Sequence, residues 1–178
     1  VGPSIVQFDN NSFYLGLPTS LSKNYVLPYA NARLGYRFNK SKSIYLNYSY
    51  DVDFPNANQI LPVEDLSNPL STVVGNVDLK PSRNQGGYFS FRNYDYATRS
   101  GYSIYFGGDL YDNQVVSSVL YDTSIKSKTT FENVSGTYST WSGSSWNKTI
   151  KRDAHTFKYG VGFSANYGLS KGFVNGEM

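Results

Sequence analysis

The chain has 178 residues, enough for one domain with a substantial core, and its formal charge of +3 is small and scattered. It has no cysteine, which excludes disulfides and cysteine metal sites, and its densest basic stretch, around Lys148, Lys151 and Arg152, has no interleaved aromatic platform, which argues against nucleic acid as a partner. Aromatic residues make up 17%, with 17 Tyr and 11 Phe, yet mean hydropathy is −0.43, and no run approaches the ~20 apolar residues of a membrane-spanning helix.

This composition predicts an all-β chain, because Tyr, Phe, Thr and Val suit a pleated, half-buried surface. Residues 12–17 suggest a first strand, ended by Pro18. In residues 30–38, Ala32, Leu34, Tyr36 and Phe38 alternate with Asn31, Arg33, Gly35 and Arg37. The clearest pattern covers 43–54, where Ile44, Leu46, Tyr48, Tyr50, Val52 and Phe54 oppose Ser43, Tyr45, Asn47, Ser49, Asp51 and Asp53. A long connection, 55–84, follows. Residues 85–96 form a strand with aromatics on both faces. In 101–110, Tyr102, Ile104, Phe106 and Leu110 oppose Gly101, Ser103, Gly107 and Asp109.

A medium connection, roughly 117–130, leads into 131–149, whose face through Val134, Gly136 and Tyr138 is weak. From His155 the alternation is clean again, with Phe157, Tyr159, Val161, Phe163, Ala165 and Tyr167 on one face. The turns at 39–42, 97–100 and 150–154 are short and polar, and every one falls on the same end of an up-and-down array. Every long connection falls on the other end. Short turns on one side and long loops on the other are the habit of outer-membrane barrels, whose strands need only about 9–11 alternating residues. The expected fold is therefore antiparallel up-and-down strands of a transmembrane β-barrel, a partial one of about 6–8 strands, with 55–84 as an extracellular loop. The competing reading is a soluble β-sandwich that binds carbohydrate or adheres to surfaces; strands of 10–14 residues exceed the ~5–6 usual in soluble sheets.

Within the long loop the chain reads Asn68-Pro69-Leu70, then Gly75-Asn76-Val77-Asp78-Leu79-Lys80-Pro81. This resembles the loop of TonB-dependent outer-membrane receptors with a Bacteroidetes-type barrel, in which Asn-Pro and a spacer precede Gly-Asn-Pro-Asp/Asn-Leu-Lys-Pro-Glu. Asn133-Val134-Ser135-Gly136 resembles that family's Asn-Val-x-Gly strand start, and Lys148-Thr149-Ile150-Lys151 and Gly172-Phe173-Val174-Asn175-Gly176 are similar to its later strand and loop. The likeness covers most of 12–178. Val77 and Ser82 depart from it, standing where the family has Pro and Glu. On its own chemistry the motif shapes a compact loop, since Pro69 and Pro81 fix φ while Gly75 and Asn76 tolerate positive φ.

The resemblance implies an internal piece of a receptor barrel in a Gram-negative outer membrane. Such receptors have about 22 strands around a plug; this chain shows no plug-like segment, no TonB-engaging motif, no signal peptide at Val1 and no closing aromatic at Met178. A complete barrel of about eight strands is the rival. The implied partners are outer-membrane lipid, the TonB system through a plug region elsewhere, and a large solute.

Catalytic chemistry finds little support, and no enzyme activity, cofactor or metal is expected. A Ser-His-Asp reading of His155 could use any of many serines, so a strand-end histidine explains it better. Asp51 and Asp53 lie about 7 Å apart on one strand face, as solvated lumen residues would. Asp9, Glu64, Asp65 and Asp78 form no calcium loop. Trp141 and Trp146, with Tyr138, are weighed as a sugar-stacking platform against an interfacial girdle. Gly86-Gly87 and Gly107-Gly108 read as bends or close approaches within strands.

Overall fold

The computed structural model describes residues 2–14, 17–65, 68, 70–123 and 126–178. In chain order its elements are β1 (Gly2–Tyr14), β2 (Leu17–Arg37), β3 (Lys42–Asp53), α1 (Ala57–Ile60), β4 (Glu64–Asp65), β5 (Ser71–Val74), β6 (Ser82–Asp95), β7 (Ser100–Asp112), β8 (Gln114–Tyr121), β9 (Ser127–Val134), β10 (Thr137–Arg152), β11 (His155–Leu169) and β12 (Phe173–Val174). They form two sheets. A seven-stranded wall has the order β1-β2-β3-β6-β7-β10-β11, antiparallel throughout, and a five-stranded sheet has the order β12-β8-β9-β5-β4. The wall is open: among the described strands β11 pairs only with β10, and β1 only with β2.

The wall is the all-β, up-and-down array that the alternation predicts. Its ladders run unbroken, so side chains keep one parity across all strands. Leu34, Leu46, Phe89, Phe106, Ser142 and Ala165 form one aligned row, and Tyr36, Ile44, Phe91, Ile104, Ser144 and Phe163 form the next on the same face. The opposite face carries rows such as Arg33, Asn47, Tyr88, Gly107, Trp141 and Asn166. No second sheet covers the apolar face among the described residues: Val161 is 69% exposed and Phe163 68%. That overturns the sandwich, which would bury these side chains in its interior.

Several boundaries differ from expectation. Residues 12–17 are not a separate strand: β1 and the first half of β2 form a two-stranded ribbon, with Leu15 and Gly16 outside the described residues. Pro18 lies within that ribbon, in register with Phe13, because a two-stranded ribbon has free outer edges where a missing N–H costs no ladder bond. The stretch expected as a connection at 117–130 is mostly strand, as β8 and β9. The single strand expected over 131–149 is cut in two at Ser135 and Gly136, where Gly136 takes φ +75°. The last turn shrinks to Asp153 and Ala154, with Asp153 at φ +50°, a conformation a short polar side chain tolerates.

The turn after β6 is held by its last residue. Ala97 N donates to Asp95 Oδ1 at 2.9 Å and Thr98 Oγ1 to Oδ2 at 2.8 Å. The Thr98 hydroxyl first, then the Ala97 amide, lower the Asp95 pKa from its ordinary 3.8, against a small opposing effect of burial. A depressed carboxylate stabilises the folded turn above its unfolded pKa, and that contribution disappears as pH falls through the folded one. An NMR titration of the Asp95 carboxyl should therefore have its midpoint below 3.8, and Thr98→Ala should raise it. A midpoint unmoved by Thr98→Ala would contradict this account.

Candidate functional site

All long connections gather at one end of the wall and fold into a cap of their own. The 54–81 connection supplies α1, β4 and β5; the next supplies β8 and β9; β12 adds the last strand. In that sheet β5 and β9 pair in parallel, as do β12 and β8. Helix α1 starts at a reciprocal cap, Gln59 N donating to Asn56 Oδ1 and Asn56 N to Gln59 Oε1, both at 3.0 Å. The Asn56-x-x-Gln59 spacing is a signal that could have located this turn in the sequence. Most of the buried apolar side chains lie here: Ile60 is 0% exposed, Leu79 2% and Val134 4%, while Leu27 on β2 is buried too, at 8%.

The loop motif organises this cap. Gly75 is buried against the Leu61 backbone, where a Cβ would stand 2.8 Å from both the Leu61 carbonyl carbon and nitrogen. Asn76 N donates to Gln59 O at 2.7 Å, Asn76 Nδ2 to Phe131 O at 2.9 Å, and Asn76 Oδ1 accepts from Asp78 N at 2.9 Å. Leu79 plugs the core, and Asn133 then clamps the next residue. Its Oδ1 accepts from Lys80 N at 2.7 Å, while Nδ2 donates to Lys80 O at 3.0 Å and Asn113 O at 2.6 Å. The two stretches that carry the resemblance, 75–81 and 133–136, thus meet in space. Asn68 Oδ1 accepts from Leu70 N at 3.0 Å, and Pro69 lies outside the described residues. Pro81 directly precedes β6, and the Asp78 and Lys80 side chains are exposed.

Of the two departures from the motif, Ser82 has a local explanation and Val77 has none in the structure. The Val77 carbonyl, which a proline would also offer, accepts from Lys23 Nζ and ties the β1–β2 ribbon to the loop. The ribbon is also held by Phe54, whose ring lies 4.7 Å from Tyr25 and 5.6 Å from Phe8. Ser82 Oγ donates to Asn113 O at 3.1 Å and accepts from Val115 N at 3.3 Å, so the hydroxyl joins wall to cap where a carboxylate would carry charge.

Trp141 and Trp146 do not come together. Five residues apart on an unbroken strand, they point to opposite faces: Trp141 is in register with Gly107 and Asn166, Trp146 with Tyr102 and Val161. Tyr138 shares the face of Trp146, and the Trp146 ring meets Tyr159 at 5.6 Å. On the polar face, rings lie over directly opposed glycines, Trp141 over Gly107, Tyr105 over Gly143 and Tyr94 over Gly101. A Cβ at Gly107 would stand 2.7 Å from the indole, so each glycine makes room for a flat ring. Gly86 and Gly108 are close approaches too, while Gly87 faces open space.

The remaining candidates stay apart. His155 opens β11 and is exposed; Asp51 and Asp53 are in register with Asn84 and Ser82. Asp9 accepts from Ser22 Oγ and Gln7 Nε2 on the ribbon, while Glu64 and Asp65 form β4. No three His, Cys, Asp or Glu side chains gather as metal ligands among the described residues. Arg83 and Asp112 pair at 3.7 Å across β6 and β7, both about half exposed, which contributes little.

Neither a curated protein nor a solved structure matches the sequence. The profile of the outer membrane protein beta-barrel family matches it over residues 7–177. That span takes in the wall and the cap alike, and long antiparallel strands with one apolar and one polar face, as seen here, are what a β-barrel wall requires. The chain belongs to the outer membrane protein beta-barrel family, and its place is the outer membrane of a Gram-negative bacterium.

Proposed function

We propose that the chain forms part of the barrel wall and extracellular loop cap of a TonB-dependent receptor, and that this receptor takes up a large solute. The observation that carries the reading is the meeting of 75–81 with 133–136 through the Asn133–Lys80 bonds. The two stretches similar to that receptor family form one folded unit at the long-loop end. In this reading the apolar face meets outer-membrane lipid. On β11 it extends from Phe157 to Leu169, roughly 40 Å along the strand at ~3.4 Å per residue. At a tilt of ~45° that is about 29 Å along the membrane normal, close to the ~25 Å band and its aromatic girdles. The polar face lines the lumen, where Arg33, Asn47, Asn166 and the ring-over-glycine pairs meet water or a plug supplied by another part of the receptor. The chain acts as a wall and a binding cap, not as an enzyme.

The test is to express the intact parent protein in a Gram-negative host, purify it from the outer membrane and probe it with the periplasmic domain of TonB. Complex formation supports energised uptake. Recovery in the outer membrane with no TonB binding would leave a barrel and remove the receptor.

A further inference from the structure

The apolar face is not uniformly filled. Between Leu46, Tyr48, Phe89, Phe106 and Leu110 lies a groove of about 470 Å³ whose floor is the cross-strand pair Gly87–Gly108. Its lower wall is a stacked pair, Phe89 on Phe106, with ring centroids 4.9 Å apart and planes at 29°. At its loop-side end Tyr48 donates its hydroxyl to Gln85 Oε1 at 3.3 Å, a polar mouth to an otherwise apolar trough.

The two glycines differ in what they meet. A Cβ at Gly108 would come 2.9 Å from Ser139 O, so glycine is demanded there by backbone approach. A Cβ at Gly87 would meet nothing within 4 Å. Local packing therefore does not require Gly87 to lack a side chain, and its absence opens the groove.

We propose that this groove is a seat for one acyl chain of a lipid in the loop-side leaflet of the outer membrane, its ester end at Gln85 and its methylenes over Gly87 and Gly108. The occupant follows from continuity: the groove opens onto the apolar face of a wall that resides in the outer membrane, with its polar mouth toward the loops. Lipid tails are as apolar as the groove, so transfer from water contributes nothing here. What favours occupancy is dispersion: a concave wall left unfilled forfeits contacts on one side, and a flexible chain restores them. Rigid neighbouring side chains already fill the same register further along the sheet, at Thr140 and Tyr167.

The test uses single-tryptophan reporters in the intact protein, on a background in which every native tryptophan, Trp141 and Trp146 among them, is replaced by Phe. Phe89→Trp places a reporter in the groove wall, and Tyr167→Trp places one outside the groove, on the register row of Gly87 and Gly108. In vesicles of phosphatidylcholine doped with brominated-chain phosphatidylcholine, the groove reporter should be quenched more than the outside one. Gly87→Leu, which fills open space, should abolish the excess and leave the Tyr167→Trp signal unchanged; Gly87→Ala, the smaller change, should reduce it. Heat-modifiable migration checks that each variant is folded. Equal quenching at both sites, unaffected by either Gly87 variant, overturns the proposal. Quenching lower in the groove than outside it, together with cross-linked dimers, also overturns it and assigns the groove to a second copy of the chain.

Discussion

Val161→Arg is expected to destabilise the wall in a bilayer by about 2–4 kcal/mol, the cost of a cation near the membrane midplane on a lipid-facing position. Val161 stands one step along the apolar face from the centre of the Phe157–Leu169 run and is 69% exposed, with Trp146 as its cross-strand neighbour. The matching control is Ser164→Arg, three residues away on the polar face and opposite Gly143. There the new charge meets water, and a change within about 0.5 kcal/mol is expected. Urea unfolding of the intact protein in vesicles, read by heat-modifiable migration, measures both. Equal effects at the two sites would show that the face assignment is wrong, because only parity separates them.

That parity was legible from the sequence because a period of two needs no tertiary information. The alternation over 43–54 falls within one residue of β3 at each end, and that from His155 matches the start of β11. The same rule placed Trp141 and Trp146 on opposite faces, since their spacing is odd; reading them as one aromatic cluster overlooked it. Periodicity does not say which sheet a strand joins. Residues 117–130 carry Ser118, Ser127, Thr129 and Thr130, a polar run that reads as a connection, yet Ser118 is buried and in register with Phe173 and Thr130. Its strands pair within the cap and never extend the wall.

The cap's core was invisible for a related reason. Leu79 is a single apolar residue between Asp78 and Lys80, and Ile60 opens a short run, Ile60-Leu61-Pro62-Val63, too brief to show a period; each is buried only once the 54–81 connection folds against β9. The Asn133 clamp on Lys80 spans 53 residues of sequence, and no local pattern encodes it. The resemblance marked both ends of that clamp as separate motifs, and the structure joins them. The motif's residues therefore divide by role: Gly75, Asn76 and Leu79 face inward and build the cap, while the side chains of Asp78 and Lys80 face outward, where a ligand could meet them.

The cap should accordingly fail from two independent substitutions that leave the wall folded. In Gly75→Ala the added methyl meets the Leu61 backbone, which cannot rotate aside as a side chain would. Residues 59–61 must move, loosening the Asn76 N to Gln59 O bond of 2.7 Å and the fully buried Ile60. A cost of about 2–4 kcal/mol to the cap is expected, comparable to losing a buried aliphatic contact. Asn133→Ala removes one acceptor and two donations at once, for about 1–3 kcal/mol. Asn133→Asp should do no better, because it keeps the acceptor for Lys80 N but turns a carboxylate oxygen toward the carbonyls of Lys80 and Asn113. Protease added to intact cells should cut these variants within 54–81 and 113–136 faster than the parent, while the heat-modifiable band persists. Protection equal to the parent in both would mean that the motif does not hold the cap. The wall survives in each case because its seven-stranded ladder shares no strand with the cap sheet; beyond chain continuity the two are joined by bonds such as those of Ser82 with Asn113 and Val115. Folding free energy of the cap can therefore be lost without unzipping the strands that cross the membrane.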